Sequence, residues 1–451
     1  MLFGDKQFAA MGWAVLGWLL LLGNPAFAVP GRHEAALLPP GYLSTRGNQI
    51  VDRDGEPVRI AAVGWMGTST ARGAPWGLFA VSLGQALRST REEGFNALRI
   101  SWVDAMLHSH ATPEAGTIDY TKNPELRGLT AIEILDRVVH QAGAIGLKVI
   151  LDHHNDEGDD GSAAQQPNGL WFDSGPGTNG TDGAGVRGTV TAKGFLDDWV
   201  AIARRYKGNP TVIGYDLDNE PHAAGRITWG GGGPTDIHRM CTEVGNAILA
   251  VDPRPLIICE GPQEYSPPSA ASGMSDTVAA PEGDLTGVEA RPVVLTVPNK
   301  VVYSVHEYPA EIAGRIADAG PNAVRRMNLA WGYLVTRDIA PVWIGEMGAS
   351  MNSADARAWA ATLVPYLNGK DGAQGGPVFK PGQQPISTDW WRWGSGSDRI
   401  VPDGTLEPNW RTSRPEQEEV YARLRPIAQP GDVRLHDDPR LHQASSKPNQ
   451  P

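Results

Sequence analysis

Eight short apolar runs, most followed by a loop and an amphipathic helix, set the plan of this chain. They are Ile60 to Val63, Ala97 to Ile100, Lys148 to Leu151, Val212 to Leu217, Leu256 to Cys259, Val301 to Ser304, Val342 to Gly345 and Ile386 to Trp391. A strand followed by a helix pairs in parallel with the next strand, because the helix carries the chain back to the starting edge. Eight such units close a sheet on itself, so the pattern predicts an α/β fold of the (β/α)8 or TIM barrel type. Helices are expected at Thr130 to Ala144, Lys193 to Tyr206, Ile237 to Val251, Ala323 to Ile339 and Ala354 to Leu367, where apolar residues recur three and four apart. Thr130 and Glu133 supply a capping box for the first of them. The fifth unit breaks the rhythm. Cys259 to Val301 is rich in Pro, Ser, Gly and Asp, so its helix is expected to be very short or replaced by loop. Gly-rich stretches at Asp173 to Gly188 and Asn368 to Gln384 are expected as rim loops or surface excursions.

The flanks are read differently. Gln49-Ile50-Val51 and Pro57 to Ile60 bracket an Asp54-Gly55 turn, which predicts an N-terminal β-hairpin placed to plug the barrel's bottom. Met11 to Leu22 is apolar and Ala26-Phe27-Ala28 has the small-x-small pattern of a cleavage site, so residues 1–28 read as a signal peptide. That apolar stretch is shorter than the roughly 20 residues needed to span a bilayer, so no stable membrane association is expected. Past Arg425 the sequence is polar and aperiodic, and residues 426–451 are expected as a disordered tail. Residues 29–425 are then expected as one barrel domain, secreted or periplasmic. Cys241 and Cys259 are permitted a bridge in such a compartment, with buried free thiols as the favoured state. A formal net charge of -12 argues against nucleic acid and anionic membranes as partners, both of which reward clustered Lys and Arg. The 15 tryptophans exceed what one core needs and fit a ligand with flat apolar faces, such as a sugar.

Two carboxylates stand apart from the rest. Glu220, in Asp216-Leu217-Asp218-Asn219-Glu220-Pro221-His222, and Glu346, in Val342-Trp343-Ile344-Gly345-Glu346-Met347, each follow a buried strand at its carboxyl end. That rim is where barrels of this kind build their active sites, and a pair of carboxylates there suits cleavage of a glycosidic bond.

Six motifs in order carry a resemblance: Leu98-Arg99-Ile100, Leu151-Asp152-His153-His154, the run from Tyr206 to His222, Val302 to Tyr308, Ile344 to Gly348 and Trp390-Trp391-Arg392-Trp393. Together they resemble glycoside hydrolase family 5, in its bacterial endoglucanase branch. The resemblance implies a retaining endo-β-1,4-glucanase, with Glu220 as acid/base and Glu346 as nucleophile. It further implies Arg99 beside the nucleophile, Asn219 at the sugar 2-hydroxyl, Tyr308 on Glu346, and His306 and His154 bonding hydroxyls or carboxylates. Trp391 becomes the floor under the sugar being cleaved, while Trp65, Trp171 and Trp229 are candidates for stacking on neighbouring sugars, set against plain loop packing. No metal and no cofactor are implied, and a monomer acting on a β-glucan polysaccharide is expected. The alternatives are a β-mannanase of the same family and a non-catalytic carbohydrate-binding barrel. Two departures from the family pattern stand out, Arg392-Trp393-Gly394-Ser395 and Met66-Gly67-Thr68-Ser69, both where subsites are lined.

Overall fold

A computed structural model describes residues 36–70, 72–155, 168–173, 190–222, 227–263, 283–313, 319–396 and 403–426. The predicted signal peptide lies outside these residues, as do most of the Asp173 to Gly188 stretch and all but the first residue of the tail. A small antiparallel pair, β1 (Ser44–Arg46) and β2 (Gln49–Val51), comes first. The barrel strands follow as β3 (Ala61–Trp65), β4 (Ala97–Val103), β5 (Lys148–Asn155) and β6 (Val212–Asp216). They continue as β7 (Leu256–Glu260), β8 (Val301–Glu307), β9 (Val342–Met347) and β10 (Ser387–Trp390). All pair in parallel, and β10 returns to β3 to close an eight-stranded barrel.

The strands are buried on both sides, so alternate residues face two different cores. Outward residues such as Val63, Leu98, Leu151 and Tyr303 pack with the helices. Inward residues at the starting ends, Ala62, Ala97, Ile150, Leu256, Ile258, Val302 and Trp343, form a separate apolar plug with Leu43 and Ile50. The N-terminal segment therefore seals the bottom, as expected, but with a different pairing. Gln49–Val51 pairs with Ser44–Arg46 upstream, and its downstream side keeps only a bridge from Val51 to Pro57 around the Asp54-Gly55 turn. Pro57 has no N–H to extend that ladder.

Helices Ala131–Ala144, Ala192–Arg205, Ile237–Val251 and Ala354–Leu367 sit where the periodicity puts them, and Thr130 and Glu133 form the capping box. The segment expected as one helix from Ala323 to Ile339 is helical without a break from Pro321–Met327 through a π-turn at Asn328–Gly332 to Tyr333–Thr336, ending three residues early. The described parts of the fifth connection, residues 261–263 and 283–300, contain turns and no helix. Asn368 to Gln384 joins a helix to a strand and so lies at the bottom, not the rim. There Gln384 donates its N–H to Gln49 Oε1 at 2.7 Å.

Cys241 and Cys259 are bridged, with Cα atoms 6.0 Å apart, which corrects the expectation of free thiols. The reason is geometric. Cys259 faces outward between inward Ile258 and Glu260, and Cys241 lies on the buried face of the helix that packs over it. Among the described residues no helix is long and apolar enough to cross a membrane.

Candidate active site

Above the apolar plug the inward positions turn polar. Arg99 on β4, Asp152 on β5, Asp216 on β6, Glu260 on β7, His306 on β8 and Asp389 on β10 are all buried. Arg99 is the hub. Its Nη1 donates to Glu346 Oε1 at 2.7 Å, Nε to Asp216 Oδ2 at 2.9 Å, and Nη2 to both Asp152 Oδ1 and Asn219 Oδ1 at 2.9 Å. Burial alone pulls the guanidinium pKa down, but Asp152, Asp216, Glu346 and Asp389 together drive it well above its ordinary value. Asp152 moves the other way: burial is the largest influence and opposes ionisation, but Arg99 together with His154 outweighs it, leaving the carboxyl pKa lowered. Asp216 is pushed up to about 6 by burial, against the pull of Arg99. Burial also raises Glu260 and Asp389 well above the carboxylate range. One permanent cation thus serves several acids, and the layer stays solvable because some of them remain neutral.

Glu346 reaches this layer through a slip in the ladder. Val305 pairs with Ile344 but His306 pairs with Glu346, and on the other edge Thr388 pairs with Ile344 but Trp390 with Met347. The extra residue is Gly345, whose missing Cβ leaves room for Ser304 Oγ and His306. Such a bulge re-aims the side chain that follows it. Glu346 is then held from both sides, by Arg99 on Oε1 and by the Tyr308 hydroxyl donating to Oε2 at 2.7 Å. Burial, then Glu346, holds the Tyr308 phenol well above its usual pKa, so it stays a donor.

Glu220 arrives by a bend. Strand β6 ends at Asp216, Asp218 swings outward to His153, and Glu220 adopts φ 50°, in the left-handed region. Asn219 and Glu220 can therefore both enter the site although they are neighbours in sequence. Glu220 Oε1 lies 2.8 Å from His306 Nδ1. One donor atom from each of Glu220, His306 and Glu346 lies within 4.8 Å of the others. A cation could use such a trio, but both Glu346 oxygens are already engaged and the Arg99 charge stands beside one of them. The set fits proton sharing between two carboxyls better than metal ligation.

His154 bonds Asp152 Oδ2 through Nδ1 at 2.7 Å and stacks on Trp391, with ring centroids 5.6 Å apart and planes 9° from parallel. Burial lowers its pKa, yet the charge and hydrogen bond of Asp152 leave it raised overall. The Trp391 ring lies against Gly64, where an added Cβ would fall 2.2 Å from it. Only glycine on β3 leaves that space.

A family model for cellulases, glycosyl hydrolase family 5, matches residues 51–396. The chain belongs to this family. An endoglucanase of Paenibacillus polymyxa is 32% identical over 430 residues, spanning 94% of this chain and 95% of that protein. The major extracellular endoglucanase of Xanthomonas campestris is 29% identical over 408 residues, 88% of this chain and 72% of that protein. Among solved structures, a cellotetraose complex of the endocellulase from Pyrococcus horikoshii superposes with a TM-score of 0.70 at 26% identity, covering 86% of this chain and 99% of the other. The catalytic domain of the Xanthomonas enzyme gives 0.68 at 27% identity, covering 85% and 99%.

In this family 5 barrel the structure brings Glu220, Glu346, Arg99, Asn219, His306, Tyr308, His154 and Trp391 into one buried mouth. Three predicted residues do not join them. Trp65 alternates with inward Gly64, so it faces the helices, donating to the Trp76 carbonyl at 2.8 Å and packing edge-on against Trp393. Trp171 packs in the outer core beside Phe172. Trp229 donates to the Arg291 carbonyl at 2.9 Å and packs on Gly287 and Tyr303, again in the outer layer. For all three these contacts correct the stacking expectation to packing. Sequence reasoning misses Asp152, Asp216, Glu260 and Asp389 as members of the site. Their signal was a charged residue at an inward position of an otherwise apolar strand. The two departures from the family pattern also meet: Arg392 Nη1 lies 2.8 Å from Met66 Sδ.

Proposed function

We propose that this cellulase-family chain is an exported endo-β-1,4-glucanase that cleaves internal bonds of cellulose or related β-glucan with net retention. The observation that carries the mechanism is the approach of Glu220 and Glu346 to within 4.8 Å, one bonded to His306 and the other clamped by Arg99 and Tyr308. Retaining enzymes hold their two carboxyls about 5–5.5 Å apart, whereas inverting ones leave room for a water between them. In the first step the Glu220 proton passes to the leaving oxygen as a Glu346 oxygen bonds the anomeric carbon and the glycosidic bond breaks. In the second, Glu220 takes a proton from water, whose oxygen displaces Glu346 from the same carbon. Arg99 sets a fixed positive charge beside Glu346, and two carboxyls so close cannot both ionise cheaply, so the resting proton is assigned to Glu220. Asn219 contacts the 2-hydroxyl, and Trp391, backed by His154, forms the floor. Export rests on the pattern in residues 1–28 and on the relative named as extracellular.

Release of reducing ends from carboxymethylcellulose, with a fall in viscosity before short products accumulate, is the expected result. Activity confined to mannan would assign the barrel to mannan instead, and binding without turnover would make it a carbohydrate-binding protein.

A further inference from the structure

We infer that Glu260, at the end of β7, is a positioning residue for the acid/base: through one oxygen it fixes both the Glu220 backbone and the tautomer of His306. This rests on Glu220 being the acid/base as proposed above. The Glu220 N–H donates to Glu260 Oε2 at 3.1 Å. That bond falls on a residue at φ 50°, a conformation that non-glycine residues keep only when their surroundings impose it. The same Oε2 lies 3.3 Å from His306 Nε2, while the other ring nitrogen, Nδ1, meets Glu220 Oε1 at 2.8 Å. His306 therefore stands between two glutamates, one on each nitrogen. The Glu260 side chain is fully buried.

The proton count follows from these contacts. Glu260 Oε2 accepts the Glu220 N–H, so it acts there as an acceptor, and the same oxygen, 3.3 Å from His306 Nε2, is within reach of a nitrogen that has no hydrogen-bond partner among the described residues. A proton on Nε2 leaves Nδ1 as an acceptor, and only the protonated carboxyl of Glu220 can then donate across the 2.8 Å contact. Glu260 thus holds the acid/base in its acid form without touching substrate. Burial above all raises the Glu260 carboxyl pKa well above the ordinary range. Its seat is rigid, because the preceding residue, Cys259, is tied by the disulfide to helix Ile237–Val251.

A merely structural role and a positioning role separate by leaving group. Dinitrophenyl β-cellobioside releases a phenolate that needs no protonation, whereas cellotetraose needs the acid. For Glu260→Leu, kcat/KM on cellotetraose is expected to fall by about 10²-fold, as for a misplaced catalytic group, while the dinitrophenyl substrate changes by no more than about threefold. Glu260→Gln keeps an acceptor oxygen and should restore most of the cellotetraose rate. Equal losses on both substrates, or no loss on either, would overturn the inference. Glu220→Ala, run alongside, must show the same leaving-group selectivity; if it does not, the acid/base assignment itself fails. Nitrogen NMR of His306 in the unaltered protein needs no variant to fold: the Nε2–H tautomer is expected, and the Nδ1–H tautomer would overturn the inference.

Discussion

The two ends of the barrel are built from the same strands and obey opposite rules. At the starting ends, Ala97, Ile150, Leu256, Ile258, Val302 and Trp343 fill the interior with apolar volume. Two residues further along at Arg99 and Asp152, and four at Glu260 and His306, the interior becomes a polar layer centred on Arg99. Burial is the same in both layers, and its consequences differ. Below, it supplies the hydrophobic free energy that holds the barrel shut. Above, it strengthens every charge interaction and makes each unpaired acid expensive, which is how a few acids come to hold protons. Stability lives at the bottom and chemistry at the mouth.

The widest break between the two ends comes from a matched pair of substitutions. Glu346→Ala should lower kcat by about 10⁴-fold or more, as for loss of a covalent catalytic group, and leave thermal stability intact. Ile258→Ala should leave kcat of the folded enzyme unchanged and cost about 2–5 kcal/mol in denaturant titration. A second pair sharpens the contrast between the two faces of a strand. Trp65→Ala should destabilise by about 3–5 kcal/mol with KM unaltered, because its ring packs outward. Trp391→Ala should raise KM or lower kcat at smaller cost in stability, since its ring lies at the mouth over Gly64. Replacing both Cys241 and Cys259 by Ser should cost about 3 kcal/mol, the loop-closure value for a bridge of sequence separation 18.

The smallest effect concerns pH. His153 lies outside the barrel between Asp104, 2.6 Å from Nε2, and Asp218, 3.2 Å from Nδ1. Burial lowers its pKa, but the charge and hydrogen bond of Asp104, with Asp218, raise it from 6.5 to about 10. A raised histidine stabilises the fold fully below its unfolded value and loses that contribution as pH climbs through the folded one. Melting temperature should therefore fall between pH 6.5 and about 10, and the fall should be shallower in His153→Gln.

Much of this was legible beforehand for a physical reason. Buried parallel strands need unbroken apolar runs, and all eight were readable as such. Strand ends were not, because β4, β5 and β8 continue into polar residues such as Ser101, His153 and Glu307, where the ladder persists after the hydrophobic signal stops. Its place after an apolar run points Trp65 to the mouth, whereas two-residue alternation makes Gly64 the inward neighbour and turns Trp65 outward. The slip at Gly345 had a cue, a glycine inside a strand pattern. The bond between Glu260 and the Glu220 backbone had none, since contacts between neighbouring strand ends depend on register, which periodicity alone does not give.

In the proposed mechanism Glu220 and Glu346 act across one short gap as acid/base and nucleophile. Proton NMR of the sugar released in the first minutes of hydrolysis, before mutarotation, tests it most directly. The new reducing end is expected to appear as the β-anomer and only later to drift toward equilibrium. An α-anomer at the start would mean inversion, and would contradict the assignment of Glu346 as a nucleophile.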